Sequence, residues 1–213
     1  MNYNNRTLTN NVYNLAIGAV VLYGLIINII LCAAIPDITL YIQPFLFLVL
    51  YFVCAILGVF ISNMSKNSLV SFLGYNMVVV PVGLAVSMAV NYYGGLNSEI
   101  VLNAFVYTTG VTCIMVIASV VCPKLFSKLG PFLFVSLIAI ILVGIVEIFL
   151  GQFILVSWIA AVIFSLYIGY DIVKAQEKQN TIDNAVDAAV GIYLDIANLF
   201  LRILKILAHS KSD

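Results

Sequence analysis

Long apolar runs alternate with short polar breaks along the whole chain. Each run has about the length, roughly 20 residues, that an α-helix needs to cross the hydrocarbon core of a membrane. Uninterrupted runs of this length predict membrane-spanning helices. Seven spans are predicted, at residues 12–35, 40–62, 68–90, 100–122, 130–150, 153–174 and 184–208.

The breaks are too short for a second folded domain. The sequence therefore predicts an all-α polytopic membrane protein with one seven-helix domain at residues 12–208, between polar tails at 1–11 and 209–213. Two breaks carry charge: a basic break at 123–128 and a connector at 175–183. The first run is too long for a signal-peptide core and lacks a basic leader with a cleavage site, so it is predicted to be the first span.

The amino-acid composition supports a helical membrane protein and argues against a soluble domain. The 213 residues are 64% hydrophobic and 8% charged, with a mean hydropathy of +1.16, whereas soluble domains have about 25% charged residues. A net charge of zero gives no reason to expect a nucleic-acid partner. The four cysteines lie in or at the ends of apolar runs and are predicted to be small hydrophobic residues. No catalytic or phosphate-binding motif is visible, so we predict neither an enzyme nor a cofactor.

Basic residues predict the orientation in the membrane. With seven spans, the amino-terminal tail and the loops on its side hold six Lys or Arg residues, and the loops on the other side hold none. The positive-inside rule then places the amino terminus in the cytoplasm. A spanning seventh segment would put Lys205 and Lys211 on the opposite side, so a seventh segment that re-enters on the cytoplasmic side is the alternative.

The seventh segment is the least apolar of the set. It contains Asp187, Asp195, Arg202 and Lys205, and a helix with so many polar positions should not face lipid on all sides. We therefore expect it at the centre of the bundle, where the other six helices shield it.

Two aspartates lie within apolar sequence on the last two segments. A carboxylate inside a bilayer is costly and commonly marks a functional site. Asp195 lies roughly 16 Å along the seventh segment at 1.5 Å per residue. If the sixth helix continues through its amphipathic tail to Lys178, Asp171 lies about 10 Å from the turn. Because these depths are similar, we expect the two carboxyl groups to meet.

Two touching carboxylates cannot both ionise at low cost, so a proton shared between them would make the pair sensitive to pH. Such a pair predicts a latch that is closed when the proton is shared and open when both groups are ionised. Ionised, Asp171 and Asp195 would also suit transient binding of Ca²⁺. In the alternative, structural interpretation, each Asp neutralises a nearby Lys or Arg and only fixes the packing.

Three further residues are candidates for lining a pore. They are Glu147 near the end of the fifth span, and Asn198 and Arg202 on the seventh segment. Glu147 could instead reach the membrane interface, and Asn198 could form a hydrogen bond between helices.

The two Asp-bearing stretches resemble the motifs of one family. Residues 164–171, FSLYIGYD, resemble the "FsgYilYD" signature of the Bax inhibitor family, the transmembrane Bax-inhibitor-motif proteins. Residues 191–200, GIYLDIANLF, with the segment 202–204, resemble its closing "LYLDfiNlFl" motif. Weaker matches are 81–84 (PVGL) in the third span and 101–105 (VLNAF) with Thr108 or Thr109 in the fourth.

This resemblance implies seven helices, with the seventh central among two groups of three. It also implies a pH-sensitive leak of Ca²⁺ down its gradient, gated by paired aspartates that match Asp171 and Asp195. Bacterial relatives act in the plasma membrane, and eukaryotic ones in the endoplasmic reticulum, where they suppress cell death. We expect a bacterial-type member in the plasma membrane, with the endoplasmic reticulum as the alternative.

The turn after the second span departs from the family pattern. Members whose latch is characterised carry a basic run there, including an Arg that pairs with the first Asp. Here residues 63–67, NMSKN, offer only Lys66. An ammonium group can neutralise Asp171 but cannot bind it bidentately. We therefore expect a weaker closed state or a shifted pH response.

The predicted function is a pH-sensitive, Ca²⁺-permeable leak channel, with lipid, Ca²⁺ and protons as its partners. The alternative is a non-conducting membrane regulator that binds a membrane protease or a cell-death partner. A proton-coupled transporter is a third class, but it would usually show internal repeats with broken helices in matching positions.

Overall fold

The computed structural model of the protein describes residues 7–35, 37–151 and 153–211, and all side chains among them except those of residues 148–150. Its regular structure within these ranges is helical, as predicted. The helices are α1 (Asn10–Ala34), α2 (Pro44–Met64), α3 (Ser68–Tyr92), α4 (Glu99–Val121), α5 (Pro123–Ser127), α6 (Gly130–Leu150), α7 (Ile154–Glu177) and α8 (Ile182–Ser210). A single 3₁₀ turn covers Ile38–Leu40.

The helices begin and end where local chemistry favours it. Thr9 caps α1 by accepting a hydrogen bond from the Val12 N–H at 3.5 Å, and Asn67 caps α3 through the Leu69 N–H at 3.0 Å. Pro44 occupies the first turn of α2, where its missing N–H is not needed. Gly151 follows α6 with a φ of +91°, a conformation that favours glycine.

Two predicted segments had wrong boundaries, and one predicted break contains a further helix. The second helix starts at Pro44, because the residues before it form the 3₁₀ turn. The basic break at 123–128 contains the short helix α5. The connector at 175–183 shrinks to residues 178–181, because its charged residues continue α7 and begin α8.

Within the described residues, six helices are long and apolar enough to cross a membrane: α1, α2, α3, α4, α6 and α7. Several apolar helices of this length are typical of integral membrane proteins. The predicted count of seven spans is not confirmed. At 29 residues α8 is the longest helix described, but it is not one of these six.

Contacts group the described residues into two compact units. Unit 1 holds the residues up to Leu96 together with Ala175–Leu194, and unit 2 holds Asn97–Lys174 together with the residues from Asp195 onward. The chain passes from one unit to the other three residues after Asp171, and again immediately before Asp195.

Unit 1 packs through small residues and buried tyrosines. A Cβ atom added at Gly58 of α2 would lie 2.6 Å from the carbonyl oxygen of Gly74 of α3, so only glycine allows this close helix crossing. The Tyr193 hydroxyl on α8 donates to Asn28 Oδ1 on α1 at 2.8 Å. The Tyr75 ring packs edge-on against the Tyr193 ring. These contacts bind the first half of α8 to α1 and α3.

Unit 2 has a comparable close contact near the second half of α7. A Cβ at Gly169 would collide with the Phe126 ring, so this ring of α5 packs directly against the backbone of α7. The rings of Phe105 on α4 and Phe200 on α8 have centroids 4.8 Å apart. These contacts join α5 to α7 and α4 to the second half of α8 within unit 2.

Candidate functional site

Asp171 and Asp195, the predicted pair, lie on neighbouring stretches of α7 and α8, within electrostatic range of each other. Asp171 lies on α7 and is half-buried, and Asp195 lies on α8 with 7% of its surface exposed. The two carboxyl groups lie close enough for a hydrogen bond between them to influence Asp195. Both belong to unit 2. A hydrogen bond between two carboxyl groups requires a proton on one of them.

The surroundings of the pair, within the described part of the chain, leave one carboxyl oxygen of Asp195 without a hydrogen-bond donor. Its Oδ2 atom is buried and has no hydrogen-bond partner among the described residues. The phenol of Tyr167, one helical turn before Asp171, lies within electrostatic range of both carboxyl groups. A buried carboxyl oxygen without a partner costs free energy, so this arrangement is not one that packing alone would favour.

Arg202 forms an ion pair with Glu147. Its Nη1 atom lies 3.7 Å from Glu147 Oε2, and the two side chains are 16% and 8% exposed respectively. Glu147 Oε1 also accepts a hydrogen bond from the Phe153 N–H at 3.1 Å. Lys205 lies within electrostatic range of both members of this ion pair. The Glu147 side chain is thus shielded beside Arg202 of α8, and both of its predicted roles, lining a pore or reaching the membrane interface, stay predictions.

The remaining predicted site residues lie apart from this ion pair. Asn198 is half-buried on α8, one turn after Asp195, and Lys66 is exposed in the turn between α2 and α3. Lys66 belongs to unit 1 and Asp171 to unit 2. Its role as the latch partner of Asp171 stays a prediction.

The carboxylate pair alone offers little for tight metal binding. The part of the chain that the structure describes contains no group of three or more His, Cys, Asp or Glu residues placed to hold a metal ion. Ca²⁺ takes six to eight oxygen ligands, and two carboxyl groups supply at most four. Water would have to complete the shell of a passing ion.

A second set of buried aspartates was missed by the sequence analysis. Ser62 Oγ on α2 donates to Asp187 Oδ1, and Ser71 Oγ on α3 donates to Asp183 Oδ1, both at 2.6 Å. All four residues are at least nine-tenths buried. Asp183 was assigned to the connector, although its spacing of four residues from Asp187 would have placed both on one helix face. We name Ser62, Ser71, Asp183 and Asp187 the serine–aspartate clamp.

The clamp lies in unit 1 with two further titratable groups. Lys178 and Asp183 are within electrostatic range of Asp187, and so is the Tyr13 phenol. The Tyr13 hydroxyl donates to the carbonyl oxygens of Ala175 and Asn184, at 3.1 and 3.4 Å. The start of α8 is thus bound to α1, α2 and α3 through polar contacts.

A protein-family model and several known proteins are similar in sequence to this chain. The family model "Inhibitor of apoptosis-promoting Bax1" matches residues 5–212. Protein LIFEGUARD 4 of Arabidopsis thaliana is 33% identical over 64% of this chain and 57% of its own. An uncharacterized membrane protein of Vibrio cholerae is 31% identical over 59% of this chain and 57% of its own. The Golgi anti-apoptotic protein of vaccinia virus is 32% identical over 60% of this chain and 53% of its own.

The matched segments thus span little more than half the length of these relatives. The family model, in contrast, covers nearly the whole chain, including both Asp-bearing motifs. The protein is therefore a membrane protein of the Bax inhibitor family.

Proposed function

We propose that the protein is a proton-modulated, Ca²⁺-permeable leak channel whose gate is the Asp171–Asp195 pair. The observation that carries this proposal is the buried contact between the two carboxyl groups, with one oxygen of Asp195 left without a partner. A buried ionisable pair of this kind is expensive to maintain inside a membrane protein and commonly belongs to a gate or an ion path.

The gate follows from the charge on the pair. With one proton between them, the carboxyl groups attract and hold α7 to α8. When the proton leaves, two negative charges about 4 Å apart repel by about 4 kcal/mol at an effective dielectric constant of 20. Repulsion of this size is enough to shift a closed–open equilibrium by roughly a thousandfold. Raising the pH should therefore open the channel.

We also propose that α8 is a seventh span. At 1.5 Å per residue its 29 residues extend roughly 43 Å, enough to cross a bilayer. Lys211 beyond its end pairs with Glu99 at the start of α4 at 2.8 Å, and Arg202 pairs with Glu147 near the end of α6. In the predicted topology both of these helix ends lie on the non-cytoplasmic side.

At the other end of α8, the clamp joins it to the end of α2 and the start of α3, which the topology places on the cytoplasmic side. These contacts support a crossing α8 over a re-entrant one. The basic loops support a cytoplasmic amino terminus. The family resemblance favours the bacterial plasma membrane, with the endoplasmic reticulum as the alternative.

The test is Ca²⁺ influx into proteoliposomes of the purified protein at pH 6, 7 and 8. We expect wild-type influx to rise with pH and the double variant Asp171→Asn/Asp195→Asn to lose this dependence. Asp37→Asn is the matched control. Hydrogen bonds from the Thr39 hydroxyl and N–H lower the pKa of Asp37, so this carboxylate stays ionised throughout the range.

Wild-type influx that does not exceed that of empty liposomes at any pH would refute the channel. A non-conducting regulator that binds a membrane protease or a cell-death partner would then be the proposal. The name of the vaccinia virus relative, a Golgi anti-apoptotic protein, favours this second candidate. Purification of the intact protein from its native membrane with a stoichiometric membrane-protein partner would support it.

A further inference from the structure

Three charged side chains of unit 2 form a cluster whose charges do not balance. Glu147 lies near the end of α6, and Arg202 and Lys205 lie on α8 within electrostatic range of each other and of Glu147. Among the described residues, Lys205 has no hydrogen-bond or ion-pair partner. Glu99, at the start of α4, is already paired with Lys211 at 2.8 Å. Two cations therefore share one carboxylate.

The excess positive charge is costly because the cluster is largely buried. The side chains of Arg202 and Glu147 are 16% and 8% exposed, and Lys205 is half-buried. Glu147 is also engaged elsewhere, since its Oε1 accepts a hydrogen bond from the Phe153 N–H at 3.1 Å. Its Oε2 lies 3.7 Å from Arg202 Nη1, farther than the roughly 2.7–2.9 Å of a charge-assisted hydrogen bond.

Arg202 Nη1 is buried and has no hydrogen-bond partner among the described residues. The guanidinium group carries five N–H donors in total, and Glu147 is the acceptor that the structure places beside them. Buried charges in proteins are normally paired. The cluster thus has the chemistry of a site that lacks one anion.

The cluster lies close to one surface of the membrane. α6 ends at Leu150 and α7 begins at Ile154, and both helices are long and apolar enough to cross, so the turn between them lies at a membrane surface. The hydrogen bond from Phe153 holds Glu147 beside this turn. Because α4 and α6 are consecutive crossings joined by the short α5, the start of α4 lies at the same surface.

From Arg202 onward, α8 runs out towards that surface. It leads to Lys211, which pairs with Glu99 at the start of α4. Lys205 follows Arg202 by three residues, so it lies on the same face of α8 and roughly 4.5 Å nearer the surface. The two cations therefore follow one helix face towards the lipid headgroups.

An exposed aromatic residue supports this level on α7. Trp158, the only tryptophan of the chain, lies in the second turn of α7 and is 57% exposed. Tryptophan is enriched where the lipid headgroups begin. Its position near the start of α7 is consistent with a membrane interface at this end of unit 2.

We infer that Arg202 and Lys205 bind the phosphate of an anionic phospholipid at this end of unit 2. One phosphodiester charge would neutralise the cluster. The planar guanidinium matches phosphate oxygens, and the ammonium adds a flexible point charge. Basic sites between membrane helices recognise anionic headgroups in this way.

The depth of Lys205 favours a lipid over free phosphate. Lys205 lies roughly 9 Å along α8 from Lys211, on the inner side of the surface that this helix reaches. The phosphate of a lipid occupies this layer already, whereas a free phosphate dianion would have to leave water to enter it. The occupant is therefore a phospholipid with a net negative headgroup.

Lipid-dependent thermal stability tests the site without relying on Ca²⁺ conduction. The purified, delipidated protein is melted in a neutral detergent with increasing phosphatidylglycerol, with phosphatidylcholine of the same acyl chains, or with inorganic phosphate. We expect phosphatidylglycerol to raise the melting temperature to a plateau, because a ligand of the folded state stabilises it by mass action. Phosphatidylcholine, whose headgroup has no net charge, and inorganic phosphate should have much smaller effects.

Lys205→Gln removes one of the two cations and should weaken the apparent affinity for phosphatidylglycerol roughly tenfold, because a charged contact to phosphate is lost. Lys205→Arg should restore the affinity. Lys124→Gln is the matched control, since it removes an exposed lysine from α5 at the opposite membrane surface, and should leave the affinity unchanged.

The order of stability distinguishes a lipid site from a structural lysine. In lipid-free detergent, Lys205→Gln should melt no lower than wild type, because the substitution removes a cation that repels Arg202. At saturating phosphatidylglycerol, wild type should melt higher. A variant that melts lower without lipid and responds to phosphatidylglycerol as wild type does would show a structural role and refute the site.

Three other results would also overturn the inference. The first is an equal response of wild type to phosphatidylglycerol and phosphatidylcholine, which needs no variant to fold. The second is an equal loss of affinity in Lys124→Gln, which would show diffuse attraction. The third is saturation by inorganic phosphate that abolishes the effect of phosphatidylglycerol, which would exclude a lipid as the occupant.

Native mass spectrometry gives an independent count of bound lipid. We expect one tightly bound phosphatidylglycerol per wild-type chain and per Lys124→Gln chain, and a roughly tenfold lower occupancy in Lys205→Gln at the same lipid concentration. Equal occupancy in all three proteins would contradict the assignment of Lys205 and Arg202 as the phosphate site.

Discussion

Removing one hydroxyl from the serine–aspartate clamp should measurably destabilise the protein. Ser62→Ala deletes the donor that lies 2.6 Å from Asp187 Oδ1. Ser62 is fully buried and Asp187 is 9% exposed, so water cannot simply take the place of the lost hydroxyl. The carboxyl group is left with one donor fewer in a site closed to solvent.

The magnitude follows from the kind of bond that is lost. Hydrogen bonds to charged groups contribute about 1.5–3 kcal/mol to stability. Asp183 and Lys178 lie within electrostatic range of Asp187 and act on it in opposite directions, so we expect a loss within this range, about 2 kcal/mol. For a chain of this size, each kcal/mol shifts the melting temperature by roughly 2–4 °C, which predicts a decrease of roughly 4–8 °C.

The assay is thermal unfolding in one detergent at one heating rate. Ser127→Ala is the matched control, because the Ser127 hydroxyl donates only to the nearby Lys124 carbonyl oxygen in an exposed site. The double variant Ser62→Ala/Asp187→Asn completes a double-mutant cycle. A melting temperature within 1 °C of wild type for Ser62→Ala, or additive effects in the cycle, would refute the clamp as a stabilising contact.

Three further predictions concern the gate and the ion pair. Asp195→Asn should abolish the pH dependence of Ca²⁺ influx, because an amide cannot take part in carboxylate titration; an unchanged pH response would exclude Asp195 as the sensor. Lys66→Ala should raise basal leak at pH 6 if Lys66 holds the closed latch, and an unaltered leak would remove it from the mechanism. Glu147→Gln should lower thermal stability by about 3 kcal/mol, since the buried Arg202 loses its counter-charge. Replacing Arg202 by Met in that variant should recover most of the loss, and failure to recover would point to a different cause.

Local chemistry explains why the helices and the family could be predicted. A run of apolar residues long enough to cross a membrane must satisfy its own backbone hydrogen bonds, and an α-helix does so within the segment. Six of the predicted spans accordingly match helices within a few residues. The two Asp-bearing motifs are contiguous in sequence, so they identified the family that the match over residues 5–212 confirms.

Contacts between distant residues explain what the sequence analysis missed. Ser62 and Asp187 are 125 positions apart, and Ser71 and Asp183 are 112 apart. An isolated serine in an apolar run gives no sign of its partner, because its hydroxyl can equally bond its own helix. Asp183, at the charged start of α8, was assigned to the connector because its partner is distant in sequence. Its carboxyl group is buried where Ser71 of α3 donates a hydrogen bond to it.

The sequence by itself determined the apolar spans, the family and the two aspartates that would have to be satisfied inside the membrane, since these depend on residue types at short range. Only the tertiary structure decided the partners: Asp171 for Asp195, Glu147 for Arg202 and the serines for the clamp aspartates. The physical reason is that a helix fixes the spacing of its own side chains, whereas the helix that faces them is selected by the packing of the whole unit.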